Sequence, residues 1–170
     1  MKTVVVSGPE SVGKTTLCLA IKEQLGAVYV PEFARTYVEQ IHRNYTYEDV
    51  ECIAKQQITE LNNAIESNPH KEFVVMDTYL IVTKVWFLHV YDRYPRWLQT
   101  ELKKAKIDLF LLLKPDIPWV YDPVRENPHI RTYLYDWYKR ELDALSARYV
   151  EIEGMGKTRT QTALRAIYEL

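Results

Sequence analysis

The stretch Gly8-Pro9-Glu10-Ser11-Val12-Gly13-Lys14-Thr15 decides how the rest of the chain is read. An apolar run, Val4-Val5-Val6, precedes it, and a segment carrying Leu17, Ile21 and Leu25 at helical spacing follows. Strand, glycine loop and helix in that order, spaced G-x-x-x-x-G-K-T, are the signature of a phosphate-binding P-loop. The glycines let successive amide N–H groups turn inward on an anion, and the helix N-terminus adds partial positive charge. Lys14 can reach the outer phosphates, and the Thr15 hydroxyl suits a Mg2+ ion bridging two of them. The expected nucleotide-binding residues are therefore Gly8, Glu10, Ser11, Val12, Gly13, Lys14, Thr15 and Thr16, and the expected ligand is a nucleoside triphosphate.

Working outward, the spacing of apolar runs predicts strands and helices in strict alternation. Ala27-Val28-Tyr29-Val30 reads as a second strand ended by Pro31, with Glu32 and Arg35 at its tip running into a helix. Thr46 to Asp49 reads as a helix cap, and Val50, Ile53, Ala54, Ile58, Leu61 and Ile65 repeat at helical spacing until Asn68-Pro69. A strand over 72–76 delivers Asp77, a helix over 79–91 follows, and another begins near Pro95. Ile107 to Leu113 is the most apolar strand and reads as central and buried on both faces. The segment 118–131 is proline-rich and without periodicity, as expected of a short lid. A helix carrying Leu134, Tyr138 and Leu142, a strand at 149–152 and a helix around Ala163 to Ile167 complete the chain. This alternation predicts one α/β domain over 1–170, a three-layer P-loop kinase-like fold with a five-stranded parallel sheet covered by helices on both faces. Gly154-Met155-Gly156-Lys157-Thr158 also ends in Gly-Lys-Thr, but a P-loop glycine would have to stand at Glu151. That turn is left either as a plain connection or as one lining a nucleotide base.

Composition narrows the function classes. A chain of 170 residues that is 47% hydrophobic can bury a core, and a net charge of −1 does not suit a nucleic-acid scaffold. The basic cluster Arg93, Arg96, Lys103, Lys104 and Lys106 is interleaved with acids and reads as a solvated helix face. Two cysteines, Cys18 and Cys52, fit no metal or redox spacing, so reduced thiols in a cytoplasmic protein are expected. The four histidines are unpaired, so no structural metal is expected. No leader and no membrane span are expected, since the start runs directly into a strand and no apolar run nears the length of a spanning helix.

Phosphoryl transfer asks for an acid near Mg2+, a group facing the attacking hydroxyl, and cations on the moving phosphoryl. Asp77, closing its strand, stands where a Walker-B acid would reach Mg2+, through water; an N-cap role can coexist with this. Glu32 can accept a proton from a hydroxyl or hold a sugar hydroxyl, although an acid starting a helix also has dipole reasons to be there. Arg35, a turn later, can pair with Glu32 or contact a substrate. Arg125 and Arg131 fall in the irregular segment, from which closure would bring guanidinium groups onto phosphates. Trp86, Trp119, Tyr79 and Phe33 can each stack on a heterocycle or simply fill the core.

At this point the residues resemble a known family. GPESVGKTTL, VPEFAR, VVMDT with TKVW, and LLLKPDIPWVYDPVREN look like the NadR-type kinase domain, the ribosylnicotinamide kinase half of a bifunctional bacterial NAD-biosynthesis protein that also occurs alone. The resemblance implies ATP- and Mg2+-dependent phosphorylation of the 5′-hydroxyl of nicotinamide riboside to nicotinamide mononucleotide. It implies roles for Lys14 and Thr15 at the phosphates and Mg2+ and for Glu32 and Arg35 in the nucleoside pocket; it assigns no aromatic to stack on the ring, for which Trp86 is the candidate from the residues themselves. Asp77 would take the Walker-B position, and Arg125 and Arg131 the lid. Another nucleoside, or a nucleoside monophosphate, keeps the chemistry and changes the acceptor. A nucleotide-dependent switch is the rival from another class, although no guanine-reading N-K-x-D is present. A homodimer is left open, and the partner expected is a small molecule rather than nucleic acid or membrane.

Overall fold

The inner strands carry uninterrupted apolar runs over 4–6, 73–76 and 109–113, as a sheet covered on both faces requires, while the edge strand at 149–152 includes Glu151. A computed structural model describes residues 1–122 and 127–170. In chain order the elements are β1 (Lys2–Ser7), α1 (Lys14–Leu25), β2 (Val28–Val30), α2 (Phe33–Ile41), α3 (Tyr47–Glu66), β3 (Phe73–Asp77), α4 (Leu80–Tyr91), α5 (Arg96–Lys104), β4 (Leu109–Leu113), α6 (Arg131–Ala144), β5 (Tyr149–Ile152) and α7 (Gly156–Tyr168). The strands form one sheet in the order β2-β3-β1-β4-β5, every neighbouring pair parallel.

Alternate residues of each strand serve opposite faces. Val5, Val74, Met76, Phe110 and Leu112 pack with residues of α3, α4, α5 and α6, among them Val50, Leu61, Phe87, Leu98 and Leu142. Val4, Val6, Val75, Leu111 and Leu113 pack on the other face with Leu17, Cys18 and Ile21 of α1 and Ala163 and Ile167 of α7. The sheet is thus the middle of three layers, a P-loop kinase-like α/β fold.

The layering also positions a site. The helix after β1 goes to one face, while the helices after β2 and β3 go to the other. Loops at the carboxyl ends of the strands are therefore pulled apart around β1, which is where open parallel sheets form ligand crevices. With β3 between β1 and β2, Asp77 lies beside the P-loop strand, and the end of β2 is one strand further away.

Several boundaries moved. The most apolar strand, β4, is an inner strand next to the central β1, and it begins at Leu109 because Asp108 is spent on Thr3: its N–H donates to the Thr3 carbonyl at 2.9 Å and its carboxylate accepts the Thr3 N–H at 2.6 Å. Arg131, placed by sequence within the irregular segment, instead opens α6, and α7 begins as early as Gly156. No described helix is long and apolar enough to cross a membrane.

Candidate active site

The loop between β1 and α1 is built around two positions that need glycine. Gly8 has φ 145°, and a Cβ there would stand 2.8 Å from the Leu113 carbonyl oxygen, so the loop leaves the sheet pressed against the end of β4. Gly13 caps α1 in the left-handed region at φ 79°. Only a residue without a Cβ tolerates the first contact, and it meets the second without strain. Lys14 Nζ donates to the Pro9 carbonyl at 2.9 Å, across the loop.

Beside it, Thr15 Oγ1 donates to Asp77 Oδ2 at 2.6 Å, joining the start of α1 to the end of β3. Asp77 is buried, and burial pushes its carboxyl up, opposed by the charge of Lys14 and by the Thr15 hydrogen bond. Its second oxygen, Oδ1, and the Ser7 hydroxyl are buried without a hydrogen-bond partner among the described residues. Orphaned polar atoms of this kind carry a penalty of about 1–3 kcal/mol each unless something completes them. A carboxylate and two hydroxyls are hard oxygen donors, and Mg2+ is typically held by one or two carboxylates together with substrate phosphates. The residues present fit that ion.

The next residue repeats the message in the backbone. Thr78 is β-branched yet sits at φ 66°, buried, with its own hydroxyl unpartnered among the described residues. Such conformations hold strain of about 1–3 kcal/mol and concentrate at functional sites.

A cavity of about 530 Å3 runs from this point. Its lining combines Gly8, Glu10 through Thr16 and Glu32 with Val38, Tyr45, Gln57, Val82, Thr83 and Trp86. Tyr45 and Trp86 meet edge to face, with ring centroids 4.8 Å apart. Leu134 and Tyr138 of α6 close a wall. Tyr138 is buried, and burial, then the charges of Glu10 and Glu32, push its phenol well above the usual range, so it remains an O–H donor.

The sequence therefore brings Lys14, Thr15, Glu32, Arg35 and Trp86 to one cavity, and joins Asp77 to Thr15 of its lining. Arg35 carries ion pairs to Glu39 at 3.1 Å and to Asp122 at 2.9 Å, reaching across to the segment after β4. Arg131 is absent from the cavity lining; it donates to the Ser11 carbonyl at 3.3 Å and the Ile117 carbonyl at 3.0 Å, bracing the P-loop from behind. Arg125 lies outside the described residues. The segment's flanks also grip the P-loop: Asn127 N–H donates to Glu10 at 3.0 Å and Val120 N–H to the Ser11 hydroxyl at 2.9 Å. Of the other aromatic candidates, Tyr79 is buried in the core, and Phe33 packs on Tyr37 at 5.8 Å.

A second cavity of about 580 Å3 shares Val12, Gly13 and Thr16 with the first and is bordered by Ile117, Met155 and Gly156, so the 154–156 turn does face space beside the P-loop. Four participants went unrecognised in the sequence. Gln57, Thr83 and Tyr138 sit at core positions of helices, where periodicity counts them as filler. Arg159, on α7, reads as a surface cation but is buried, donating to Val12 and Lys114 carbonyls and to Asp116.

Comparison with known proteins agrees with this architecture. A NadR protein in complex with NR superimposes with a TM-score of 0.85 at 24% identity, covering 99% of this chain and 51% of the other. A NadR protein in complex with NAD and AMP-PNP gives 0.82 at 22% identity, over 99% and 49%. The deoxyadenosine kinase from M. mycoides with bound dCTP gives 0.66 at 11% identity, covering 99% of this chain and all of that one. The chain spans about half the length of the NadR proteins, and the likeness is one of fold. A family model described as an AAA domain matches residues 3–164. The chain belongs to this AAA-domain family, AAA_28.

Proposed function

We propose that the protein is a P-loop phosphotransferase that moves the γ-phosphoryl group of ATP onto a hydroxyl of a small nucleoside, with nicotinamide riboside as the acceptor. The observation that carries this reading is one cavity whose lining combines the P-loop lysine Lys14, Glu32 and the Tyr45–Trp86 aromatic pair. Its volume of about 530 Å3 suits a nucleoside beside a phosphate chain. The NadR and deoxyadenosine kinase structures of the same fold, bound to NR, AMP-PNP or dCTP, support the same assignment.

In this reading the P-loop amides and Lys14 bind and orient the phosphates, and Glu32 accepts the proton of the attacking hydroxyl or fixes its direction. Tyr138 offers a hydrogen bond near the two carboxylates that face it. Thr15 and Asp77 would hold Mg2+, which supplies charge neutralisation at the phosphates. Arg125 is proposed from the sequence as a further cation on the phosphoryl group, and Arg131 as the residue fixing the P-loop against the base of the lid.

An acceptor without a phosphate is favoured over a monophosphate by the state of the nearby arginines. Arg43 is committed to Asp49 through both terminal nitrogens, at 2.5 and 2.9 Å, and Arg35 to Glu39 and Asp122. Neither cation is held ready for a second phosphate. The test is an ADP-release screen with Mg-ATP across nicotinamide riboside, common nucleosides and their monophosphates. We expect nicotinamide riboside to stimulate ADP formation most; stimulation by monophosphates alone reverses the acceptor class, and stimulation by none favours a nucleotide-dependent switch.

A further inference from the structure

We propose that Gln57 is a specificity-determining residue that reads a carbonyl oxygen on the ring of the acceptor, an assignment that rests on the nucleoside-kinase reading above. Gln57 lies on α3 and Thr83 on α4, each only 2% exposed, and both line the cavity together with Tyr45 and Trp86. The Thr83 hydroxyl donates to Gln57 Oε1 at 2.8 Å, a fully buried bond joining the two helices. In that arrangement the amide oxygen is engaged by α4. With Oε1 turned to Thr83, the Nε2 amino group, which has no hydrogen-bond partner among the described residues, is left to the cavity that Gln57 lines.

The surroundings select what this donor can recognise. Tyr45 and Trp86 offer an aromatic wall, and Val38 and Val82 an apolar one, as a flat ring requires. Among the described lining residues the carboxylates are Glu10 and Glu32, on the P-loop and after β2, not on α3 or α4. The α3 and α4 side of the lining thus presents an N–H donor and no carboxylate acceptor. A ring edge bearing a carbonyl, whether a carboxamide or an oxo group, completes that donor. An edge presenting only an amino group leaves two donors facing each other, and buried donors without partners reject such analogues strongly.

The experiment measures steady-state kinetics of the full chain with two acceptors identical except for the carbonyl: nicotinamide riboside and the pyridine riboside lacking the carboxamide. For Gln57→Leu we expect kcat/KM on the carboxamide acceptor to fall about 10- to 100-fold, mainly through KM, with the carbonyl-free acceptor altered less than about 3-fold. Thr83→Val removes only the hydroxyl that orients the amide. Gln57 acts directly and Thr83 through it, so this variant should give a smaller loss with the same selectivity. A thermal melt of each variant checks the fold, and a packing defect would weaken both acceptors alike. Equal losses on both acceptors, no loss on either, or a wild-type preference for the carbonyl-free ring overturns the Gln57 assignment alone. Wild-type protein that phosphorylates no nucleoside overturns the acceptor reading and this assignment with it.

Discussion

Asp77 is held in an environment that disfavours its charge, and that is informative about why it is there. Burial raises its carboxyl more than Lys14 and Thr15 lower it. A group whose folded-state pKa lies above its unfolded value stabilises the fold most at low pH, and that contribution is lost as pH rises through the folded value. At neutral pH the nucleotide-free protein therefore carries a penalty that an amide would not. Asp77→Asn should melt at the same temperature as wild type or higher, with the gap narrowing in acid, while kcat falls about 10²-fold through loss of the ion-holding oxygen. A collapse of the melting temperature together with kcat would mark Asp77 as structural instead. Lys14→Ala should leave the melt unchanged and bring ADP formation to background; near-normal turnover would remove the P-loop from the chemistry. These residues were legible because their motif fixes both identity and spacing. Gln57, Thr83 and Arg159 were not, since a polar side chain at a helical core position announces its burial only once the partner helix is in place.

At the scale of elements, the corner between α2 and α3 contributes His42, Arg43 and Tyr45 to the cavity lining, and one carboxylate organises it. Asp49 accepts from Arg43, from the Thr46 N–H at 2.7 Å and from Tyr37 at 2.8 Å, while its own N–H returns a bond to the Thr46 hydroxyl at 3.4 Å. This is a capping box in which aspartate replaces the usual longer acid. Thr46→Ala should lower stability by about 1 kcal/mol, or about 2–4 °C in a melt of a protein this size. The Arg43 guanidinium first, then the Thr46 N–H and the Tyr37 hydroxyl, hold the Asp49 carboxyl well below the usual carboxylate range. Its contribution is therefore complete above the ordinary value near about 4 and is lost as pH falls below it. Asp49→Asn should be less stable than wild type at neutral pH and lose less on acidification; parallel acid limbs for the two proteins would deny Asp49 this role. The cap was readable from Thr46 and Asp49 alone, as were the strands from their apolar runs. The start of α6 was not, because prolines on the approach mask the helix that Arg131 begins, and α7 hides its first turn behind Gly154 and Gly156.

Across the whole molecule, the loops after β1, β4 and β5 behave as one frame, and Arg159 is the side chain that joins them. From α7 it donates to the Val12 carbonyl of the P-loop, to the Lys114 carbonyl just past β4 at 3.3 Å, and to the Asp116 carboxylate. Asp116 in turn accepts the Gly154 N–H at 2.7 Å, tying in the turn after β5. Three strands that are far apart in sequence thus present their carboxyl ends as a single rigid edge around the nucleotide loop. Arg159 is 5% exposed, so its removal takes a donor from two carbonyls and from part of a carboxylate where water reaches poorly. Removing one partner of a fully buried ion pair costs about 3–5 kcal/mol, but Asp116 retains 33% exposure, so about 2–3 kcal/mol is the appropriate size. Arg159→Ala should accordingly lower the melting temperature by about 5–10 °C. It should also weaken ADP binding, measured by calorimetry below the new melting point, because the P-loop must then be ordered by the ligand itself. Arg159→Lys separates charge from geometry: an ammonium cannot reach all three acceptors as a planar fork does, so it should recover only part of both losses. Full recovery by lysine would reduce the frame to a charge effect, and unchanged ADP affinity in the alanine variant would show that the P-loop keeps its shape without support from α7.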